Sequence, residues 1–169
     1  PIDLGLSAAR ALGISLPERF TRSMSIDGME DWRDDWTFGS EAVLSFYAPP
    51  PKNKDYDLDR LLGRMERRFD EYLTHLDFTR GEYTFFFPPY SALFWNYAGE
   101  AGYGDLYLAF KTYAEERLLE MPHVKIYDFQ NAERITDLEQ YKDYTHYAPS
   151  VNDWMLRCFA SGDYQVTEA

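Results

Sequence analysis

The hexapeptide KDYTHY at residues 142–147 places a carboxylate and an imidazole three positions apart, at Asp143 and His146. A carboxylate that binds one ring nitrogen of a histidine fixes its tautomer, and the other nitrogen can then take a proton from a nucleophile. The spacing therefore fits the acid and the base of a Ser-His-Asp triad. By itself, Asp-x-x-His is a weak signal, because such short patterns also arise by chance.

A metal site is an alternative use of the same residues, with Asp137, Asp143 and His146 as ligands. This set lacks a second histidine or a cysteine at ligand spacing, so we expect no metal and no other cofactor. His75 lies in a predicted helix and His123 at the start of a predicted strand, and structural roles are expected for both.

The elements that must position the pair alternate between helix and strand. Apolar residues recur at helical spacing over 58–76, and residues 82–89, EYTFFFPP, predict a strand that is buried on both faces and stopped by its two prolines. A helix is predicted over 104–120 and a second strand over 123–129, so that strand, crossover helix and strand form a parallel βαβ unit. A last helix is predicted to begin near Pro149.

Ligands of open parallel sheets bind beyond the carboxyl ends of the strands. The segment PPYSALFW leaves the first predicted strand there, and QNAERITDLEQYKDYTHY leaves the second. If PIDLGL at the start of the chain is a strand, residues 7–9 reach the same edge. We therefore expect Asp143 and His146 on a loop at the functional edge of the sheet.

Three ordered pieces of this sequence resemble the C-terminal end of the SGNH/GDSL hydrolase superfamily. They are the Pro-Pro-Tyr-Ser loop, the Lys-Ile-Tyr-Asp-Phe strand and the Asp-x-x-His-Tyr loop, and the similarity covers about residues 58–160. The chain particularly resembles a branch of large, often membrane-anchored bacterial proteins, distantly related to proteins that handle acyl groups on alginate and lipoteichoic acid. The resemblance implies an α/β fold with a three-layer open parallel sheet, SGNH-like and flavodoxin-like, that is incomplete at the N-terminus.

On this interpretation, residues 1–169 are a single domain or a fragment of one, with an irregular part at 1–57 and a regular α/β part at 58–160. Asp143 and His146 match the acid and the base of the family. Ala8, or Ser7 beside it, matches the position that offers a backbone N–H to the oxyanion. The Gly-Asp-Ser strand of the family should precede this loop and is not in the sequence, nor is its Gly-x-Asn-Asp motif. Ser7 lacks a tight glycine-flanked turn, so the nucleophile is expected upstream of Pro1.

The resemblance implies a serine esterase or acyltransferase of the periplasm or cell envelope that acts on a carbohydrate or lipid ester. The alternative is a non-catalytic domain of the same fold that binds a glycan through Tyr90, Trp95 and Tyr147. Full-length sequence would discriminate between them, because a Gly-x-Ser after an upstream strand supports the enzyme.

Composition excludes several other classes of function. The chain has 17 Lys and Arg against 29 Asp and Glu, a net charge of −12, which disfavours binding to nucleic acid or to an anionic membrane surface. No apolar run approaches the roughly 20 residues of a membrane span. The acidic stretch 27–41 lacks the alternating oxygen ligands of a calcium loop and is predicted to be a solvated loop.

Overall fold

The computed structural model describes residues 36–50 and 57–167. The helices are α1 (Ser40–Phe46), α2 (Leu58–Leu73), α3 (Ala92–Glu100), α4 (Gly104–Leu119) and α5 (Pro149–Ser161). The strands are β1 (Tyr83–Phe87) and β2 (Val124–Asp128). Two short 3-10 turns, Glu133–Thr136 and Leu138–Gln140, lie between β2 and α5. All of these elements belong to the unit Phe38–Ala169.

Strands β1 and β2 form a two-stranded parallel sheet, in register from Tyr83 opposite Val124 to Phe87 opposite Asp128. The predicted parallel pairing of these strands is confirmed, and the described chain is a mixed α/β structure. The crossover contains two helices, α3 and α4, where the sequence predicts one. Helix α3 was not predicted because PPYSALFW is short and aromatic and begins with two prolines, a pattern typical of a loop.

The prediction that β1 is buried on both faces is wrong. Thr84 is exposed and the side chain of Phe86 is 43% exposed, although its ring meets those of Phe129 and Phe159 at the edge. Phe85 and Phe87, on the opposite face, pack with α2 and α4. A run of aromatic residues carries no period-2 signal, so the sequence could not show which face stays open.

Strand β2 is the more buried of the two and carries helices on both faces. Ile126, 1% exposed, lies in one cluster with Leu73 of α2 and Leu118 of α4. Its neighbour Tyr127, 2% exposed, lies in a second cluster with Met155 and other residues of α5. Because successive side chains of a strand point to opposite faces, β2 holds the two clusters back to back.

The C-terminal segment completes the bonding of β2. Asp128 donates its N–H to the carbonyl of Tyr164, and Val166 donates to the carbonyl of Ile126, both at 2.9 Å. Gln165 between them forms an antiparallel bridge with Tyr127. Strand β2 is therefore hydrogen-bonded along both of its edges, which fixes the position of its carboxyl end.

Candidate functional site

The loop of residues 141–147 follows the second 3-10 turn and precedes α5. An antiparallel bridge between Tyr141 and Tyr147 closes its base, and the N–H of Lys142 donates to the carbonyl of His146 at 2.9 Å. This residue range is named the His146 loop below. Helix α5 begins two residues after it with Pro149 in its first turn, as predicted, because proline is preorganised for that position.

Asp143 and His146 form a direct pair within the loop. The Nδ1 atom of His146 lies 2.8 Å from Oδ2 and 2.9 Å from Oδ1 of Asp143. A contact of this length to an ionised carboxylate places the hydrogen of the neutral ring on Nδ1, which leaves the lone pair on Nε2. The imidazole is 56% exposed and the carboxylate 20% exposed, so the ring is accessible while its partner is shielded.

The carboxylate of Asp143 also organises the backbone of the loop. Its Oδ1 accepts from the N–H of His146 at 2.8 Å, and from the N–H and the hydroxyl of Thr145 at 2.9 and 3.1 Å. Desolvation raises the pKa of Asp143, but the hydrogen bonds from these two N–H groups and from the imidazole outweigh it, so the pKa is lowered. Asp143 therefore stays ionised at neutral pH and fixes both the loop and the imidazole.

Ser91 binds the His146 loop to the segment that follows β1. The carbonyl of Tyr144 accepts from the N–H of Ser91 at 3.1 Å and from its hydroxyl at 2.9 Å, and Ser91 is completely buried. The rings of Tyr144 and Tyr97 stack at 5.6 Å with an angle of 10° between their planes. The loop is thereby held at the carboxyl end of the parallel strand pair, as the sequence predicts.

A second set of bonds holds the base of the loop. The hydroxyl of Tyr141, whose side chain is fully buried, donates to the carbonyl of Pro89 at 2.7 Å. The carbonyl of Tyr141 accepts from the N–H of Gly39 at 2.9 Å, just before α1. Gly39 has a φ of 123°, a conformation that other residues avoid, so its contact with the loop depends on glycine.

Sequence reasoning did not find Ser91, Tyr141 and Gly39, which position the loop. A serine directly before an apolar helical segment is a signal for a helix N-cap, and it could have placed Ser91 at the start of α3. The bonds themselves join residues about fifty or more positions apart, and no local pattern predicts them.

Two of the aromatic residues predicted to bind a glycan, Tyr90 and Trp95, contact the same ring, that of Phe94, and the third, Tyr147, lies near Tyr90. Tyr90 and Tyr147 are both half-buried. Burial raises the pKa of the Tyr147 hydroxyl, and the nearby Tyr90 raises it further. Trp95 is half-buried on α3, and its ring meets Phe94 at 5.3 Å. The proposed oxyanion residues Ser7 and Ala8 lie outside the described residues.

Every serine of the described ranges has its hydroxyl bonded to a group other than His146. Their acceptors are carboxylates, a side-chain amide and backbone carbonyls, at Ser40, Ser45, Ser91, Ser150 and Ser161. None of these five is arranged as a nucleophile for His146. Within the described ranges, the Asp143–His146 pair is therefore not joined by a serine hydroxyl.

A second polar group lies at the carboxyl end of β2. Asp128 forms an ion pair with Lys111 of α4, and the two side chains are only 12% and 14% exposed. The same carboxylate accepts from the N–H of Gln130 at 3.0 Å and from the side-chain amide of Asn131 at 2.9 Å. This pair fixes α4 against the end of the strand.

Two kinds of feature are absent from residues 36–50 and 57–167. No three His, Cys, Asp or Glu side chains converge there in a way that could hold a metal ion. No helix of these ranges combines the length and the apolar character needed to cross a membrane.

Comparison with known proteins gives no match: no family model, no curated protein and no solved structure aligns significantly with this chain.

Proposed function

We propose that this chain supplies the acid–base half of an SGNH-type serine esterase or acyltransferase site that acts on a carbohydrate or lipid ester. The single observation that supports this most directly is the Asp143–His146 contact of 2.8 Å on a loop held at the carboxyl end of two parallel strands. In open parallel sheets this edge is where ligands bind.

The proposed parent fold is a three-layer α/β sandwich in which β1 and β2 are two strands of a larger parallel sheet. Helices on both faces of β2 support it. So does the contact between Ser91 and Tyr144, because it joins two of the three sequence pieces that resemble the superfamily. The family assignment rests on that resemblance and on this arrangement.

In the proposed reaction, Nε2 of His146 takes the proton of a serine hydroxyl as the serine oxygen attacks the ester carbonyl. The imidazolium, stabilised by ionised Asp143, then gives this proton to the leaving alcohol, and the acyl group remains on the serine. Water, or an acceptor hydroxyl in a transferase, attacks the acyl-enzyme with His146 again as the base. Backbone N–H groups near Ser7 and Ala8 are the proposed oxyanion donors.

The nucleophile of this proposal is a serine outside the described ranges, on a strand N-terminal to them. The absence of such a serine from the described ranges also favours the alternative. In that alternative, a domain of the same fold binds a glycan and does not catalyse a reaction. The two proposals differ in one measurable property, which is ester hydrolysis that depends on His146.

The experiment is hydrolysis of a chromogenic acetyl ester by the full gene product and by residues 1–169 alone. We expect the full product to be active and the short chain to be nearly inactive. His146→Ala should lower the activity of the full product by about 10²–10⁴-fold, and Asp143→Asn by a comparable factor.

His75→Ala is the matched control, because His75 is exposed just beyond α2 and should leave the rate unchanged. A full product that is inactive on a broad ester panel would move the glycan-binding alternative ahead. Activity of the short chain that depends on His146 would instead place the nucleophile within residues 1–169, and Ser7→Ala would be tested next.

A further inference from the structure

Helix α2 exposes a row of arginines on the side away from its apolar residues. Arg60, Arg64, Arg67 and Arg68 are all exposed, and their spacing of three and four residues places them along one face of the helix. The Nη1 atom of Arg67 lies 3.4 Å from the place that a Cβ atom at Gly63 would take, so the glycine leaves room for this guanidinium on the helix surface. These four residues are named the arginine row below.

The arginine row has no acidic partner in the described part of the chain. The ion pairs of residues 36–50 and 57–167 use other cations, such as Arg80, Lys111 and Arg117. Carboxylates are not scarce, because the whole chain carries 29 Asp and Glu against 17 Lys and Arg. The row is therefore a place where an acidic chain presents four positive charges that no carboxylate of these ranges neutralises.

The row does not stabilise the helix that carries it. Like charges four residues apart, as in Arg60 with Arg64 and in Arg64 with Arg68, destabilise a helix. Arg60 is the third residue of α2, where the positive end of the helix dipole also repels a cation. An anion bound along the row would remove both costs, because guanidinium groups bind carboxylates through two parallel hydrogen bonds.

An exposed aromatic ring next to the row indicates which kind of anion fits. Tyr72 lies one turn beyond Arg68 and is 57% exposed, so the apolar face of a sugar ring can pack on it. A membrane would have to take up apolar side chains, and those of α2 pack against the core around Leu73. A protein interface is depleted of charge at its centre, whereas this face consists mainly of arginines. A polysaccharide with carboxylates can use both the arginines and the tyrosine.

The direction of α2 brings the row to the functional edge of the sheet. The ring of Phe69 meets that of Phe110 at 5.7 Å, and Leu73 shares a cluster with Leu118, so α2 and α4 run in the same direction. Helix α4 ends just before β2 begins, and its first turn therefore lies toward the carboxyl ends of the strands. Arg60, roughly 14 Å before Phe69 along the axis of α2, lies toward the same edge as the His146 loop.

We propose that the exposed face of α2 binds a carboxylate-bearing polysaccharide, with the arginine row on its carboxylates and Tyr72 on the face of one sugar ring. The inference deepens the proposed function, on which it rests for the role of this polymer as the ester substrate. It narrows the substrate class from carbohydrate or lipid esters to esters of an anionic polysaccharide.

The test is a calorimetric titration of residues 1–169 with polygalacturonate, a polymer that carries one carboxylate on each ring. Saturable binding is expected at low salt, and it should weaken by about tenfold or more between about 20 and about 200 mM salt, because salt screens exposed charges. Fully methyl-esterified polygalacturonate keeps the rings and loses the charges, and it should bind about tenfold more weakly or worse.

Two double variants separate the row from the overall charge of the chain. Arg64→Gln with Arg67→Gln should weaken binding of polygalacturonate by about tenfold or more. Lys125→Gln with Arg157→Gln is the matched control, because it changes the net charge equally at two exposed positions outside α2. Tyr72→Ala should weaken binding of polygalacturonate and leave any binding of polyglutamate unchanged. Equal weakening by the two double variants would overturn the assignment of the row.

The wild-type titration can overturn the proposal without any variant. If polygalacturonate shows no saturable binding up to about 10 mM uronate units, the row is only a solvated face of the helix and the proposal is wrong. Tighter binding of polyglutamate, or of phosphatidylglycerol vesicles, would overturn it in favour of an acidic protein segment or of a membrane surface. Because binding is measured in the absence of hydrolysis, and His146→Ala should retain it, failure of the esterase proposal leaves a positive binding result intact.

Discussion

The carbonyl of Tyr144 accepts two hydrogen bonds from one residue, Ser91: the N–H at 3.1 Å and the hydroxyl at 2.9 Å. The two residues are 53 positions apart and join the turn after β1 to the middle of the His146 loop. The first three of the following predictions concern contacts that hold or form the His146 loop, and the fourth concerns the ion pair at the end of β2.

Removal of the Ser91 hydroxyl should loosen the loop. Ser91→Ala keeps the N–H bond to Tyr144 but loses the second bond, so we expect the free energy of unfolding to fall by about 1 kcal/mol. Urea denaturation measures the change. Ser45→Ala is the control, because Ser45 is exposed on α1, and its effect should stay within about 0.5 kcal/mol. Equal effects of the two substitutions would contradict a special role for Ser91.

The hydroxyl of Tyr141 should contribute more to the free energy of unfolding than a surface hydroxyl does. Tyr141→Phe leaves the carbonyl of Pro89 without this donor in a fully buried site, and a cost of about 1–3 kcal/mol is expected. Tyr72→Phe, at a ring that is 57% exposed on α2, should change the free energy of unfolding little. Thermal or urea unfolding measures the stability of both variants. If Tyr141→Phe is as stable as wild type, the hydroxyl of Tyr141 does not stabilise the fold through Pro89.

Lowering the pH should selectively reduce the contribution of Asp143 to the free energy of unfolding. Its pKa is lowered in the folded chain, so the ionised form stabilises the fold fully above the ordinary aspartate pKa of about 3.9. This stabilisation is lost as the pH falls through the lowered pKa of the folded state. Asp143→Asn should therefore be less stable than wild type by about 1 kcal/mol at neutral pH, with the difference shrinking toward about pH 3.

Urea titrations of both proteins from about pH 7 down to about pH 3 measure that difference. Asp153→Asn, at an exposed position of α5, is the matched control for the loss of a surface carboxylate. A difference for Asp143→Asn that is constant with pH would mean that the ionised carboxylate is not what stabilises the loop.

The ion pair of Lys111 and Asp128 should show strong coupling in a double-mutant cycle. Lys111→Met alone leaves a largely buried carboxylate without its cation, and a loss of about 3 kcal/mol is expected. The double variant Lys111→Met with Asp128→Leu should lose less than the sum of the single variants. Arg80→Met, which breaks a pair exposed by 86% and 53%, should cost at most about 1 kcal/mol. If the stability losses of the two single variants add up to the loss of the double variant, Lys111 and Asp128 are not coupled.

Local sequence signals were sufficient for part of this structure. The period of the apolar residues predicted helices close to α2 and α4, the aromatic and β-branched runs predicted β1 and β2, and Pro149 predicted the start of α5. The Asp143–His146 contact was also predictable, because a spacing of three residues lets the carboxylate reach back to the ring.

Other features depend on residues far apart in the chain. The bonds of Ser91 to Tyr144 and of Tyr141 to Pro89 join segments more than fifty positions apart, so no window of the sequence contains both partners. A cavity lined by Trp95, Leu108 and Ile135 is likewise formed by two helices and the segment after β2. It arises because these segments pack against one another, whereas the periodicity of the sequence describes each segment separately.

The pairing of β1 along one edge has a consequence for the exchange of its amide hydrogens with solvent. Tyr83 donates to His123, and in a parallel ladder alternate residues turn their N–H groups the same way, so Phe85 also faces β2. The N–H groups of Thr84 and Phe86 face the other edge, where no strand of the described ranges pairs. Exchange along β1 should thus alternate between slow and fast at successive residues. Slow exchange at Thr84 and Phe86 as well would reveal that a strand from outside those ranges covers this edge and that the sheet continues past β1.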